Sequence, residues 1–253
     1  MIKKKNEPMF RLEKQDMKNG YSMLLYSDAG VGKTWLLGNT LPVGKSLIID
    51  VEGGIYVIGD TGHLCCQLKD WNDTEMMKLD EMYAKLSTGY VDKINDIDYK
   101  DIKFVCLDSL SELYKWFQFY YLAKSGKTFF TRDVYGKASQ KLREYIRNFR
   151  NLTYKGINVI FTCVEEDLNI ASDGGSSDVK KTYPKLSGSF TREVNQLVDL
   201  VGHLEIINHI NNTRGIRFKD NGVFYAKSRI SYLDPIEGAH LGKLFIKILG
   251  GKK

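Results

Sequence analysis

A glycine-rich segment at residues 27–34, which reads SDAGVGKT, carries the residue types that bind a triphosphate. Glycine lets the backbone N–H groups of such a loop turn inward around phosphate oxygens, and the helix behind it directs its positive end at the same anion. We expect Lys33 to reach the β- and γ-phosphates and the Thr34 hydroxyl to ligate Mg²⁺. The segment therefore predicts a site for ATP and Mg²⁺. Its expected nucleotide contacts are Ser27, Asp28, Ala29, Gly30, Val31, Gly32, Lys33, Thr34 and Trp35.

The residues around this loop have the order strand, loop, helix that the motif requires. Apolar residues at 23–26 precede the loop, and apolar residues at 35–37 follow it. The common pattern, Gly-x-x-x-x-Gly-Lys-Ser/Thr, has a glycine where this chain has Ser27. Serine can replace that glycine if the position does not need a positive φ angle. We therefore expect a phosphate-binding loop that tolerates serine at its first position.

Two acidic residues stand at the carboxyl ends of predicted strands, where α/β sheets place their ligands. Asp108 ends the apolar run FVCLD, and a carboxylate at such a position holds Mg²⁺, directly or through a water. Glu52 ends an earlier run; it could polarise the water that attacks the γ-phosphate, or it could be a surface residue at a turn. Thr162 or Cys163, at the end of a third run, could sense the γ-phosphate or could simply end the strand.

Apolar runs alternate with segments of helical spacing along the chain, which predicts an α/β fold. We expect a mostly parallel central sheet flanked by helices, with an antiparallel C-terminal extension. Strands are predicted at residues 21–27, 46–52, 63–68, 103–108, 157–163, 199–207, 214–219 and 222–228. Helices are predicted from the glycine-rich loop to just before Pro42, and at 73–87, 110–123, 134–152 and 239–248. The organisation expected is an N-terminal extension at 1–20, a single domain at 21–249 and a long flexible loop at 169–189.

Composition narrows the class of protein. The chain has 253 residues, of which 43% are hydrophobic and 27% charged, as in a globular domain. No apolar run approaches the roughly 20 residues of a membrane span, and the basic N-terminus leads into no apolar signal core. The four cysteines form no Cys-x-x-Cys pair and the four histidines no His-Glu-x-x-His pattern, which disfavours a zinc site. These features predict a cytoplasmic protein with no membrane partner.

The positive charge of the chain is concentrated in one segment. Residues 115–155 contain ten Lys or Arg and two Asp or Glu, whereas the whole chain has a net charge of +6. Aromatic residues lie among these cations, and such a mixture predicts contacts with single-stranded DNA through phosphates and unpaired bases. Two alternatives stay open: the aromatics at 116–121 could be core residues, and the arginines of 134–152 could be ordinary surface. The expected DNA contacts are Lys124, Lys127, Phe129, Phe130 and Arg132 in one loop and Lys180, Lys181 and Lys185 in another.

Four segments in this order resemble the RecA-type recombination ATPases, and most of all the compact phage single-strand-annealing ATPases. They are the loop at 27–34, Ile49-Asp50-Val51-Glu52, Val105-Cys106-Leu107-Asp108-Ser109 and Lys227-Ser228-Arg229. The resemblance covers roughly residues 8–249 and implies a RecA-like P-loop NTPase core. It implies that Glu52 is the catalytic glutamate and Asp108 the metal-binding aspartate. It also implies that Lys227 and Arg229 act on the nucleotide of a neighbouring subunit.

The resemblance further implies partners and a location. It places DNA-contacting loops near 125–134 and 166–188 and favours a homo-oligomer, either a ring or a filament. It suggests a phage-encoded protein in the bacterial cytoplasm, with a single-strand-binding protein as a further candidate partner. The chain departs from RecA at Val164-Glu165-Glu166, where RecA has a glutamine after the corresponding strand.

The resulting hypothesis is an oligomeric ATPase that hydrolyses ATP with Mg²⁺, binds single-stranded DNA and promotes annealing or strand pairing. A P-loop ATPase of another type, such as a helicase loader or motor, would instead respond to a protein partner or to duplex DNA. An annealing scaffold would hold nucleotide as a structural ligand with negligible turnover. ATP is favoured over GTP because the chain has no Asn-Lys-x-Asp guanine-reading motif.

Overall fold

The computed structural model of the chain describes residues 19–59, 61–170, 179–186 and 188–251. Most of the expected N-terminal extension, residues 1–18, lies outside the described residues. The strands in chain order are β1 (Ser22–Ser27), β2 (Ser46–Asp50), β3 (Leu64–Gln67), β4 (Val91–Asp92), β5 (Ile97–Asp98), β6 (Phe104–Asp108), β7 (Asn158–Ile170), β8 (Val179–Pro184), β9 (Leu200–Asn208), β10 (Thr213–Arg217), β11 (Lys227–Ser228) and β12 (Ile236–Gly238). The helices are α1 (Lys33–Thr40), α2 (Asp73–Thr88), α3 (Leu110–Ser125), α4 (Arg132–Asn151), α5 (Gly188–Leu197) and α6 (Leu241–Gly250).

Within the described residues, ten strands form one sheet in the order β12-β10-β9-β1-β7-β6-β2-β3, with β11 paired to β9 and β8 paired to β7. The strands from β9 to β3 pair in parallel, whereas β10, β11 and β12 add antiparallel pairs at one edge. The predicted α/β fold class, with its antiparallel C-terminal extension, is confirmed. One strand, β7, separates the strand that precedes the glycine-rich loop, β1, from the strand that ends in Asp108, β6.

Both faces of this sheet are covered, which explains why its strands are continuously apolar. Successive side chains of a strand point to opposite faces. On β1, Leu24 and Tyr26 join an apolar cluster with residues of α2, α3, α4 and α5, whereas Met23 and Leu25 join a second cluster with residues of α1 and α6. All four of these side chains are fully buried. The central strand is therefore fixed from both sides, and so is the loop that leaves its carboxyl end.

The segment predicted as a continuous loop at 169–189 contains regular structure, so that prediction is wrong for the described residues. Strand β7 has 13 residues, and its last six pair with β8 as an antiparallel hairpin. Helix α5 follows at Gly188–Leu197. The polar sequence gave no apolar alternation from which the hairpin could be predicted, because these strands extend beyond the packed sheet. Residues 171–178 and 187 lie outside the described residues.

The strand predicted at 222–228 is also shorter than expected: Lys227–Ser228 is a strand, and Phe224 forms only an isolated bridge to Thr182 on β8. The residues before Phe224 form a turn. Oδ1 of Asp220 accepts from the Gly222 N–H, and Oδ1 of Asn221 accepts from the N–H groups of Val223 and Phe224. Asp and Asn side chains compete in this way with strand pairing. Strand β12 and helix α5 were not predicted.

Helix α3 contains the aromatic run at 116–121, for which both a core and a surface position were possible. Trp116 and Phe117 are buried in the core, whereas 43% of Phe119 is exposed. The run therefore contributes both to the core and to the surface. In the described part of the chain, no helix has the length and apolarity that crossing a bilayer requires.

Candidate active site

The loop between β1 and α1 turns through two glycines in conformations that other residues rarely adopt. Gly30 has a φ of 79° and Gly32 a φ of 110°. The Leu36 N–H donates to the Gly32 carbonyl at 2.9 Å, so Gly32 begins α1. Backbone N–H groups at the start of a helix behind such a turn are free to bind an anion. This backbone is the cradle that a phosphate group requires.

Serine is compatible with the first position of this loop. Among the described residues other than glycine, only Asp96 and Asn212 have a positive φ, so Ser27 does not need the conformational freedom of glycine. The departure from the common pattern therefore leaves the loop intact. The other predicted contacts lie where the loop places them: Asp28, Ala29 and Gly30 are exposed, Val31, Gly32 and Thr34 are half-buried, and Trp35 is 45% exposed.

The side chain of Lys33 lies inside the loop. Its Nζ donates to the carbonyl oxygens of Ser27 and Asp28, at 3.0 Å each, and to the Ser27 hydroxyl at 3.1 Å. Burial lowers the pKa of Lys33, while the carboxylates of Glu52 and Asp108 act in the opposite direction. The amine is thus fixed at the centre of the cradle, next to two acidic groups that an incoming phosphate and a metal would have to accommodate.

Asp108 and Thr34, the two residues expected to bind Mg²⁺, are in direct contact. The Thr34 hydroxyl donates to Asp108 Oδ2 at 2.5 Å, and the Thr162 hydroxyl on β7 donates to the other oxygen. Burial raises the pKa of Asp108, which is 1% exposed, and the two hydroxyl groups lower it. Mg²⁺ prefers a hard oxygen donor set of this kind. Within the described residues no cluster of three or more His, Cys, Asp or Glu could hold a metal alone, so phosphate oxygens would complete the coordination.

Glu52 lies at the same edge of the sheet as Asp108. The Ser109 hydroxyl donates to Glu52 Oε1, and the N–H groups of Val51 and Glu52 donate to the Asp108 carbonyl at 2.7 and 3.3 Å. Glu52 is exposed, whereas Asp108 is buried. The structure therefore brings Lys33, Thr34, Glu52 and Asp108 together around one loop, with Thr162 behind them.

One functional residue missed by the sequence reasoning is Asp50. It is 1% exposed, and its carboxylate accepts from the N–H groups of Gly53, Gly54 and Ile55 at 2.9, 3.2 and 3.0 Å. These bonds shape the turn that carries Glu52. A Cβ on Gly54 would lie 3.7 Å from Thr34 Oγ1, so the same turn packs against Thr34. The sequence feature that could have indicated this turn is an acidic residue shortly before two glycines.

Lys227 and Arg229 lie away from the nucleotide loop of their own chain. Lys227 Nζ donates to the carbonyl oxygens of Asn195 and Val198 at 2.8 and 3.0 Å. Arg229 Nη2 donates to the Gln196 carbonyl at 2.6 Å. Within one subunit, both cations thus neutralise the carbonyl end of α5. Their action on a neighbouring subunit's nucleotide stays a prediction.

The first group of expected DNA contacts lies on and between α3 and α4. Phe119, Phe130 and Tyr135 form consecutive ring contacts, with centres 5.4 and 5.6 Å apart, and Trp71 lies 6.0 Å from Phe119. We call these four residues, together with Phe129, which is 65% exposed, the aromatic row. Trp71 was missed because it follows β3, far away in sequence. The cations beside the row are Lys124, Lys127 and Arg132.

The second group of expected DNA contacts lies on the β7–β8 hairpin and is less available. Lys180 forms an ion pair with Asp167 at 2.7 Å, and Lys181 forms one with Asp220 at 2.6 Å. Lys185 is exposed; its N–H donates to the Val164 carbonyl at 2.7 Å. The expected DNA contacts thus lie on two elements, the α3–α4 region and the β7–β8 hairpin.

Comparison with known proteins places this site in a family. The family model described as "AAA domain" matches residues 19–230, which contain the glycine-rich loop, Glu52 and Asp108. No curated protein gives a match. Among solved structures, the chain is similar to the flagellar accessory protein FlaH from Methanocaldococcus jannaschii, with 9% identity, a TM-score of 0.40 and coverage of 87% of this chain and 90% of that chain. Because the family model spans most of the chain, the chain belongs to the AAA domain family of P-loop ATPases.

Proposed function

We propose that the chain hydrolyses ATP with Mg²⁺, binds single-stranded DNA and promotes annealing or strand pairing as an oligomer. The observation that carries the DNA part of this proposal is the aromatic row with unpaired cations beside it. Phe129 is the most exposed of its rings, at 65%. Exposed aromatic rings can stack on unpaired bases, and cations beside them can contact the phosphates of the same strand.

Hydrolysis in this proposal depends on four side chains, which bind the phosphates, hold Mg²⁺ and activate the attacking water. Lys33 binds the β- and γ-phosphates from inside the loop. Mg²⁺ held by Thr34 and Asp108 would neutralise charge on the phosphate oxygens. Glu52 is exposed and is oriented at one carboxylate oxygen by Ser109, which leaves the other oxygen to accept a proton from the attacking water.

DNA binding in this proposal uses the aromatic row for bases and the neighbouring cations for phosphates. Lys127 and Arg132 form no ion pair among the described residues, whereas Lys124 is paired with Asp73 at 3.1 Å. An unpaired cation gives up no intramolecular partner when it binds a phosphate, although even exposed pairs are worth only about 0–1 kcal/mol. We therefore assign the principal phosphate contacts to Lys127 and Arg132.

Helix α3 connects the two parts of the proposal. Its N-cap, Ser109, accepts from the Glu112 N–H at 3.3 Å and donates to Glu52. Near its other end, α3 carries Phe119 in the aromatic row and Lys124. A shift of α3 on DNA binding would change the position of Ser109 and with it the orientation of Glu52. This connection supports an ATPase whose turnover responds to single-stranded DNA.

The other parts of the proposal concern a neighbouring subunit, the location of the protein and a further protein partner. The side chain of Arg229 is 51% exposed, so it is accessible to a neighbouring subunit in a ring or filament. Cys65, Cys66, Cys106 and Cys163 are free thiols, which suits the bacterial cytoplasm of a phage-encoded protein. A single-strand-binding protein is a candidate partner because both would occupy the same DNA.

The test measures phosphate release with and without single-stranded DNA, and annealing of complementary strands, on the same preparations. We expect DNA to stimulate turnover in the wild type and Glu52→Gln to reduce turnover to a small residual rate while ATP still binds. Phe129→Ala should reduce DNA binding and stimulation without changing basal turnover. Tyr154→Ala is the matched control, because Tyr154 is 58% exposed and lies outside the aromatic row.

Three outcomes would contradict the proposal. Absence of any DNA effect on turnover or on band mobility would remove the DNA-binding function. Stimulation by duplex DNA or by a protein partner, without annealing, would indicate a loader or motor. Annealing that is unchanged by Glu52→Gln and by ADP would indicate a scaffold in which the nucleotide is structural.

A further inference from the structure

A side chain from the antiparallel extension reaches the nucleotide loop. Arg214 lies on β10, and its Nε–H donates to the Val31 carbonyl at 2.7 Å. Its guanidinium carbon lies 5.8 Å from the centre of the Trp35 ring. A Cβ on Gly32 would lie 3.5 Å from Arg214 Nε and 3.8 Å from Nη2, so the guanidinium lies directly beside the loop backbone. Arg214 is half-buried and belongs to none of the groups considered so far.

The sheet order shows which end of a nucleotide Arg214 faces. Asp108 and Glu52 follow β6 and β2, which lie on one side of β1, beyond β7. Strand β10 lies on the other side of β1, beyond β9. A triphosphate whose γ-phosphate meets Asp108 and Glu52 directs its α-phosphate and nucleoside away from them. Arg214 and Trp35 are therefore at the nucleoside end of the loop.

The guanidinium of Arg214 still has unused hydrogen-bond donors at this position. Only its Nε–H is used, and in the described part of the chain neither Nη1 nor Nη2 has a partner. The backbone of β10 is held on both sides, since Arg214 is in register with Ile206 on β9 and its carbonyl accepts from the Ala239 N–H at 3.2 Å. The face of Trp35 supports the guanidinium plane by a cation–π contact. The group is therefore preorganised for an oxyanion.

We infer that Arg214 binds the α-phosphate of ATP or ADP and that Trp35 forms the wall against which the nucleoside packs. This inference rests on the proposed ATPase function and extends it, because it names a residue that recognises the nucleotide without sensing the γ-phosphate. Arg214 should therefore contribute equally to the affinities for ATP and ADP, whereas Glu52 and Asp108 should contribute unequally to them.

The experiment measures the Kd of ADP and of the non-hydrolysable β,γ-imido analogue of ATP by calorimetry, with Mg²⁺ present. Because Arg214→Ala removes hydrogen bonds to a charged group, we expect it to raise the Kd of both ligands by the same factor, about 10- to 100-fold. Arg214→Lys keeps the charge but not the planar guanidinium, so its Kd values should lie between those of Arg214→Ala and the wild type. Arg147→Ala is the charge-matched control, because the Arg147 side chain on α4 is exposed, and its Kd values should stay within about twofold of the wild type.

Trp35 supplies a second readout that does not depend on the Arg214 variants. ADP should change the tryptophan fluorescence of the wild type, and Trp35→Phe should remove most of that change because the other two tryptophans lie outside the loop. Thermal unfolding without nucleotide shows whether each variant is folded.

Two results would overturn the inference while leaving the ATPase proposal intact. One is a folded Arg214→Ala variant that binds ADP as the wild type does. The other is weakening of the ATP analogue alone, which would place Arg214 at the γ-phosphate. If the wild type and Lys33→Ala both failed to bind either ligand, nucleotide binding itself would be refuted, and the assignment of Arg214 with it.

Discussion

Replacing Asp50 by asparagine tests whether the turn after β2 positions Glu52. The Asp50 carboxylate accepts from three backbone N–H groups, two at Oδ1 and one, from Ile55, at Oδ2. Asparagine keeps one carbonyl oxygen, so the bonds to Gly53 and Gly54 can persist. Its amide nitrogen cannot accept from Ile55, and that partly buried N–H loses its partner. The lost charge and the unsatisfied donor together should lower the free energy of unfolding by about 2–3 kcal/mol.

Stability and turnover respond to this substitution for different reasons. In thermal unfolding, 2–3 kcal/mol corresponds to a fall in Tm of roughly 4–12 °C for a chain of this size. In phosphate release at saturating ATP, a misplaced Glu52 should lower kcat about 100-fold, because a shift of about 1 Å in a reacting group has that effect. The KM for ATP should change little, since Lys33 and the loop backbone are untouched.

A double-mutant cycle separates the two effects. If Asp50 acts through Glu52, Asp50→Asn should lower kcat far less in the Glu52→Gln background, while its effect on Tm stays the same. Asp101→Asn removes an exposed carboxylate and should change stability by no more than about 0.5 kcal/mol. A destabilised Asp50→Asn variant with wild-type kcat would refute the reasoning, because the turn would then stabilise the fold without positioning Glu52.

Other substitutions test single features of the site and the fold. Lys33→Ala should weaken ATP binding by at least about 100-fold in calorimetry, because its ammonium group is fixed inside the cradle. Gly202→Ala should lower the free energy of unfolding in urea by about 1–3 kcal/mol, because its Cβ would lie 2.6 Å from Ile216 Cγ2; an unchanged midpoint would contradict this contact. Burial raises the pKa of the Cys163 thiol to about 12, so its contribution to stability is complete below the unfolded value of about 8.5 and is lost as the pH rises through 12. Cys163→Ala should therefore flatten the alkaline fall of the unfolding midpoint, and in the folded wild type a maleimide should label exposed Cys65 but not Cys163.

The phosphate loop could be predicted from sequence because its chemistry is local. Glycines, lysine and threonine at fixed spacing determine the backbone turn and the side chains within eight residues. Even the departure at Ser27 could be stated as a condition on φ, and the structure meets that condition. The positions of Glu52 and Asp108 in the site could also be predicted from sequence, because strand ends in a parallel sheet share one edge.

Long-range features could not be predicted in the same way. Arg214 is 183 residues from Val31 in sequence, and their contact depends on the register of an antiparallel edge that no local pattern specifies. Asp50 lies in an apolar run and was interpreted only as part of a strand end. The β7–β8 hairpin extends beyond the packed sheet, so its residues lack the apolar alternation from which strands are predicted.

Glu165 lies on the part of β7 that departs from the RecA pattern. Its carboxylate is held by a hydrogen bond rather than by an ion pair, because burial lowers the pKa of the histidine that it contacts. Glu165 Oε2 lies 3.0 Å from His203 Nε2 on β9, and the His203 ring stacks on Phe224 with centres 3.9 Å apart. Burial lowers the pKa of Lys33, and Glu165 is among the carboxylates that oppose this effect, so it lies close to the loop. The same part of β7 also contacts α3, because the Val164 N–H donates to the Ser111 hydroxyl at 3.2 Å. If DNA binding shifts α3, we therefore expect it to act on this part of β7 through Ser111 as well as on Glu52 through Ser109.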